Sequence, residues 1–468
     1  MVSKSAAKEG MMMRWVLALG FWVQGFRCFP WLAVIFFLKD GLKVDSSTLQ
    51  ILQNSANLPM VGKPIYGVIS DAVYIFGEHR LPYIALGDTA CWWLMSQQDV
   101  SLCSLTIFSK EASISPPTIL QAISWVAVAL LSSSSIPIST LTFYLLLGNF
   151  GASIAEVAND AIVAETSKQS SSKKEKTTSS GELQSFVWMA SSLGGILGNL
   201  LGGVAIVLFT PRTVFLAYGV ILTIQFLITI SVRERSFNLP KNQSTGGVRQ
   251  QLAELANALS RPEIAYPIVW FAASYAMVPV LLGTMFFYQT QAMGIESSVV
   301  GMSKVFGQVG MLFWSVLYNK NLKEESPRKV ISAIQVTMAV TMVSDILFVN
   351  KFFKQMGLPD SVYVVVVSGV QEVLQFFKIL PFSVFIAHLC PPGCEGSLMA
   401  FVMSAIALAM IVGGYLGVAL ASYFGVTGTN FSGLPSALLI QAACTLIPLC
   451  CSSWIPDTIK PKAVKKEE

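Results

Sequence analysis

Apolar residues run along this chain in stretches of about twenty, each closed by a short polar break. A helix needs about that length to cross a bilayer, because each residue rises only about 1.5 Å. Twelve such stretches begin near residues 14, 47, 119, 140, 183, 212, 264, 297, 328, 360, 397 and 433. They predict an all-α integral membrane protein with twelve transmembrane helices, numbered below as segments one to twelve. A long polar stretch from Ser231 to Tyr266 divides them six and six. Three units follow: a six-helix bundle over residues 1–232, a linker over 233–263, and a second six-helix bundle with a short basic tail over 264–468. Within the linker, Val248, Leu252, Leu255 and Leu259 recur at helical spacing, which predicts an amphipathic helix on the membrane surface. Residues 88–118 break the pattern, since their Asp, Gln, Lys and Pro residues interrupt segment three. Counting Leu81–Ser96 as a thirteenth helix would move every later loop across the membrane, so 88–118 reads as an excursion on the side of the termini, partly re-entrant.

Composition agrees with this pattern. Of 468 residues, 53% are hydrophobic and 12% charged, whereas a soluble chain carries about 25% charged residues. The net charge of +5 matters less than where the positive charges fall. With twelve helices, most Lys and Arg lie on the side of the two termini, and the opposite side holds only Lys39, Lys43, Arg212, Lys351 and Lys354. Such a bias places both termini on the cytosolic side or its topological equivalent. The basic residues are scattered over many loops, which argues against a nucleic-acid surface. The expected partners are the lipid bilayer and a small molecule, with the protein acting as a monomer. Of the eight cysteines, Cys28, Cys91, Cys103, Cys444, Cys450 and Cys451 fall in or beside apolar runs and read as small core residues. Cys390, Cys394 and His388 in "HLCPPGC" lack a fourth ligand, so no metal site is expected. The only histidines, His79 and His388, stand near helix ends, and no nucleophile and base converge, so an enzyme is disfavoured.

The charges inside the apolar stretches point to function. They are Arg27, Lys63, Glu156, Asp160, Lys304, Asp345, Glu372 and Lys378, four of each sign. An ionised side chain at the bilayer centre is opposed by about 2.5–3.5 kcal/mol on insertion scales, so each needs a partner or a wet cavity. Polar groups concentrate in segments one, four and ten: Gln24 and Arg27, then Glu156, Asn159 and Asp160, then Gln371, Glu372, Gln375 and Lys378. Glu156 and Glu372 occupy comparable places in the two halves. Two six-helix halves related in this way imply the major facilitator plan, in which every third helix lines a central path. Lys63, followed by Pro64, and Asp71 read as serving the inner end of segment two, and glycines in "SSLGGILGNLLGG" and "GGYLGVALASYFG" as allowing close helix approach.

Several longer motifs carry a resemblance. "GFRCFPWLAVIFFLKDGL", "LPMVGKPIYGVISDAVYIFGEHRLPYIALG", "GASIAEVANDAIVAE", "GELQSFVWMASSLGGILGNLLGG", "MSKVFGQVG" and "FKILPFSVFIAHLCPPGCEGS" together resemble the folate-biopterin transporter family of the major facilitator superfamily, plant members above all. The resemblance spans nearly the whole chain apart from residues 88–118. It implies a transporter of pterin-containing compounds, with the acidic motif of segment four carried by Asp160 and Glu156. In the plant branch a lysine is expected where this chain has Asn159. Many plant relatives are plastid proteins, and the short N-terminus, "MVSKSAAKEGMM", has no clear transit-peptide character. The substrate class suits the charges: Arg27 or Lys378 would take the carboxylates of a folate, and Glu156, Asn159 and Gln375, with Gln371 beside them, its ring. Asp160, Glu372, Lys63 and Asp71 would serve proton coupling or gating, and no cofactor is required. A second reading is a transporter-shaped receptor or scaffold that binds without moving its ligand, with transport lost through the 88–118 insertion.

Overall fold

The computed structural model describes residues 2–72, 117–131, 137–172, 178–231, 248–322, 325–389 and 395–455. Most of the 88–118 excursion lies outside the described residues. Every regular element described is helical. Nine of the described helices are long and apolar enough to cross a membrane. Segment two is divided into Ser46–Ala56 and Lys63–Ala72 by a 3₁₀ turn at Leu58–Gly62, segment three is described only as Pro117–Leu131, and segment seven is broken between Pro262–Ala276 and Leu282–Phe287.

Proline explains several of these breaks, because its missing N–H deprives a carbonyl one turn earlier of its partner. Segment one bends at Arg27, between Val2–Phe26 and Cys28–Phe36, and Pro30 leaves the Phe26 carbonyl without its helical donor. Pro279 stands in the break of segment seven. Segment ten breaks at Lys378, between Gly369–Phe377 and Ile379–Leu389. There Pro381 frees the Phe377 carbonyl, which accepts from Trp314 Nε1 at 3.1 Å.

The two halves repeat each other at the ends of segments one and seven. Each ends in a π-helical turn, Phe37–Gly41 and Tyr288–Ala292. Each is followed by a left-handed residue, Lys43 at φ 51° and Gly294 at φ 67°, then by an acidic residue before the next helix. Asp45 caps segment two through Ser47 N and Thr48 N, both at 3.1 Å. Partial burial pushes the Asp45 carboxyl up, but its bonds from Thr48 and Ser47 outweigh this and hold it below its ordinary value.

Buried apolar residues cluster by half. The buried residues of one cluster come from segments one to six with Phe287 added from the second half, and two others, around Phe271 and Tyr363, are built from the second half, the former with Leu255 of the linker helix. The linker helix Val248–Leu259 buries Leu255 and Ala258 and leaves Leu252 exposed, touching segments two, seven and eleven.

The halves meet along two seams. Segments five and eight cross at Gly203 and Gly301, where a β-carbon on Gly301 would stand 2.7 Å from Gly203 Cα. Segment two lies against seven and eleven through Gln50, whose Nε2 donates to Val280 O at 2.6 Å and Gly414 O at 2.7 Å while its Oε1 accepts from Gly283 N at 2.9 Å. One amide thus satisfies backbone groups exposed by the break in segment seven. Toward the side opposite the termini the halves also touch through Phe36 and Phe286, ring centroids 5.3 Å apart. Gln50→Leu would leave one N–H and two carbonyls in need of partners, each worth about 1–3 kcal/mol when buried and unmet. The purified variant is expected to unfold several degrees below the unaltered protein, and an unchanged midpoint in a thermal melt would show the latch to be dispensable.

Candidate substrate site

The charged groups of segments one, two and four converge on Glu156. Arg27 Nη1 donates to its Oε1 at 2.8 Å and Lys63 Nζ to its Oε2 at 2.7 Å. Both cations sit where their helices are irregular, Arg27 at the proline-induced break and Lys63 at the restart after the 3₁₀ turn. Glu156 lies on the uninterrupted helix Ile138–Ser172. Two cations facing one carboxylate leave the trio with a net charge of +1. In the second half Lys304 Nζ donates to Glu372 Oε1 at 2.6 Å, and both side chains are partly exposed.

A narrow, half-open recess with a cavity volume of about 20 Å³ lies beside the first trio. Segments one, three, four and six line it, through residues that include Gln24, Arg27, Gln121, Glu156, Asn159, Tyr218 and Gln225. Asp160, one turn beyond Glu156, is exposed and does not line the recess. Nor does Glu372. Asp160 has no ion-pair partner among the described residues.

The polar residues of segment ten separate. Gln371 Nε2 donates to Asp345 Oδ2 at 2.6 Å, so it turns toward segment nine, where Tyr363 OH also reaches Asp345 Oδ1 at 3.1 Å. Gln375 makes a long bond to Glu372 O at 3.5 Å, and its own carbonyl accepts from Tyr275. Lys378 is fully buried at 0% exposure. Its Nζ donates to Gln335 Oε1 at 2.8 Å and Ser274 Oγ at 3.2 Å and lies 3.9 Å from the centre of the Tyr275 ring. The sequence pattern places Lys378 on the polar stripe, but the bend in segment ten turns it into the second bundle. The side chain of Asp71 lies outside the described residues, as do the side chain of His388 and the whole of Cys390 and Cys394. Cys450 and Cys451 are exposed and Cys28 and Cys444 half-buried, so the expectation of small core residues fails at the 3₁₀ end of segment twelve.

Gln121, Tyr218 and Gln225 are buried polar residues that the polar count by segment passed over. Tyr218 and Gln225 stand seven apart on segment six, two turns along one face, which is a weak signal in a strongly apolar helix.

Comparison with known proteins places this architecture. The model of the BT1 family matches residues 24–115 and 112–468. The probable folate-biopterin transporter 7 of Arabidopsis thaliana is 55% identical over 455 residues, covering 97% of this chain and 95% of that relative. The probable chloroplastic folate-biopterin transporter 9 of the same plant is 38% identical, over 94% of this chain and 76% of its own length. Among solved structures, a D-xylose-proton symporter superposes with a TM-score of 0.64 at 14% identity, over 96% of this chain and 98% of its own, which shows the major facilitator fold. The relatives are named as transporters rather than enzymes, and this protein is a multi-pass membrane transporter that takes a small-molecule substrate. The chain belongs to the BT1 family, among its plant folate-biopterin transporters.

Proposed function

We propose that the protein carries folate- or pterin-type anionic heteroaromatic solutes across its membrane by alternating access, with uptake of a proton coupled to the change of side. The observation that carries this reading is the Arg27–Glu156–Lys63 trio, of which Arg27 and Glu156 line a polar recess. A guanidinium suits the carboxylate tail of a folate, and amides suit its ring. Arg27 is the better placed of the two candidate tail-binding cations, since Lys378 is enclosed. Glu156 and Asn159 line the recess and Gln375 and Gln371 lie across the molecule on segment ten, while Lys63 holds Glu156 in place. Relatives named as folate-biopterin transporters support the substrate class. Asp160, exposed and without an ion-pair partner among the described residues, and Glu372, bound to one lysine, are the carboxylates proposed to take the proton. Lys63 and Asp71 would gate the inner end of segment two. In this scheme the protein works as a monomer with both termini on the cytosolic side, and it binds no nucleic acid.

The contact of Phe36 with Phe286 and the Gln50 latch support a conformer closed on the side opposite the termini. Asp160→Asn is expected to abolish uptake of labelled folate or pterin into proteoliposomes with the protein still present in the membrane. Undiminished uptake would remove Asp160 from the mechanism. Binding by the unaltered protein without accumulation would replace transport with a receptor role.

A further inference from the structure

Three buried polar atoms of residues at the recess have no partner among the described residues: Gln24 Oε1, Gln225 Oε1 and the Tyr218 hydroxyl. All three residues line it. Tyr218 is 0% and Gln225 5% exposed, so these groups are withdrawn from solvent and cost free energy while unmet. The Tyr218 ring is packed against Phe26 and Trp125, centroids 6.4 and 5.5 Å away, and cannot swing its hydroxyl elsewhere. Gln121 and Asn159, both buried, complete a wall of neutral hydrogen-bonding groups.

The chemistry of this wall selects its ligand. Two free carbonyl oxygens require donors, and the phenol can donate in return. An apolar group would leave all three unmet. A carboxylate would set acceptor against acceptor. A cation would meet the Arg27 guanidinium on the same wall, where Glu156 is already bound to Arg27 and Lys63. Water can meet these atoms while the site is empty, and among substrate groups what remains is a neutral, flat edge bearing two N–H donors and one acceptor. The 2-amino-4-oxo edge of a pteridine is such a group, through its amino N–H, its ring N3–H and its 4-oxo oxygen.

We infer that the recess between segments one, three, four and six is the subsite for the amino-oxo edge of the pteridine ring, with Gln24 and Gln225 accepting from it and Tyr218 donating to it. The inference rests on the transport reading above and goes beyond it by separating ring recognition from tail recognition. The ring edge enters the first bundle, and the anionic tail stays at Arg27. The narrowness of the recess fits an edge rather than a whole folate.

The test is selectivity between two pteridines that differ only at this edge. Uptake of labelled pterin into proteoliposomes is competed with unlabelled pterin and with lumazine, in which an oxo group replaces the 2-amino group. The unaltered protein is expected to prefer pterin by at least tenfold, because a site built to hydrogen-bond one group rejects an analogue that lacks it. Gln225→Leu, which loses an acceptor for the ring's N–H donors, is expected to reduce that preference by about tenfold, and Tyr218→Phe, which loses the donor to the 4-oxo group that both pteridines carry, to weaken pterin and lumazine alike by about tenfold, the scale of one lost buried hydrogen bond. Tyr218→Phe keeps the aromatic packing and carries the test alone if Gln225→Leu is lost from the membrane. Unchanged apparent affinities for both pteridines in Tyr218→Phe overturn the subsite and leave transport standing. Failure of the unaltered protein to take up any pteridine overturns both readings.

Discussion

Glu156→Gln is expected to lose both uptake and stability, more severely than any other single charge change in the first bundle. The glutamine would retain the shape of the side chain but leave Arg27 and Lys63 facing each other with no anion between them. The carboxylate now serves both cations at 2.8 and 2.7 Å. Breaking a buried pair by removing one partner costs about 3–5 kcal/mol, and here one removal strands two charges. Lys63→Met should be milder, because it leaves the Arg27–Glu156 pair intact and the trio neutral. Combining Lys63→Met with Glu156→Gln should recover part of the stability lost in Glu156→Gln, since only one stranded cation then remains. Thermal melts of the purified variants and proteoliposome uptake would decide the order. A Glu156→Gln protein as stable and active as the original would mean that the trio neither holds the bundle nor serves the path.

The second large effect concerns a residue with no side chain. Gly25 faces segment five, and a β-carbon there would overlap the Ser191 carbonyl oxygen and stand 2.9 Å from Gly195 N. The reciprocal contact is as tight, since a β-carbon on Gly194 would overlap the Trp22 carbonyl. Both obstacles are backbone, so no rotamer change relieves them. Gly25→Ala should push segment one away from segment five, with an overpacking cost of about 1–3 kcal/mol or more and a visible loss of monodisperse protein. Gly310 is the matched control. No atom stands within 4 Å of its built β-carbon, and alanine is favoured over glycine inside a helix by about 0.5–1 kcal/mol. Gly310→Ala should therefore melt no lower than the unaltered protein. Equal behaviour of the two variants would show that close approach of segments one and five is not what glycine provides.

The glycine runs of segments five and eleven mark close helix contacts, as their small-residue spacing suggests, and the structure adds which neighbour each run meets. Segment five receives segment one at Gly194 and Gly198, and segment eleven receives segment seven at Gly413 and Gly417. Spacing alone says that a helix face is small. It does not say what fills the space above it.

Several properties could be read from the chain alone because they are local. The length of an apolar run sets the number of helices, and a charge within such a run needs compensation wherever the run packs. The prolines at 30, 279 and 381 mark bends because each removes one backbone donor from its own helix. Which charge meets which was decided only by the tertiary structure. Arg27 and Glu156 are 129 residues apart and Lys63 and Glu156 are 93 apart, and their meeting depends on how three helices are rotated and where two of them break. The same rotations carried Lys378 from the polar stripe of segment ten into an enclosed pocket of neutral partners, and turned Tyr218 and Gln225 inward from an apolar helix. A helical period states which residues share a face, but only the packing of neighbouring helices determines what that face looks onto.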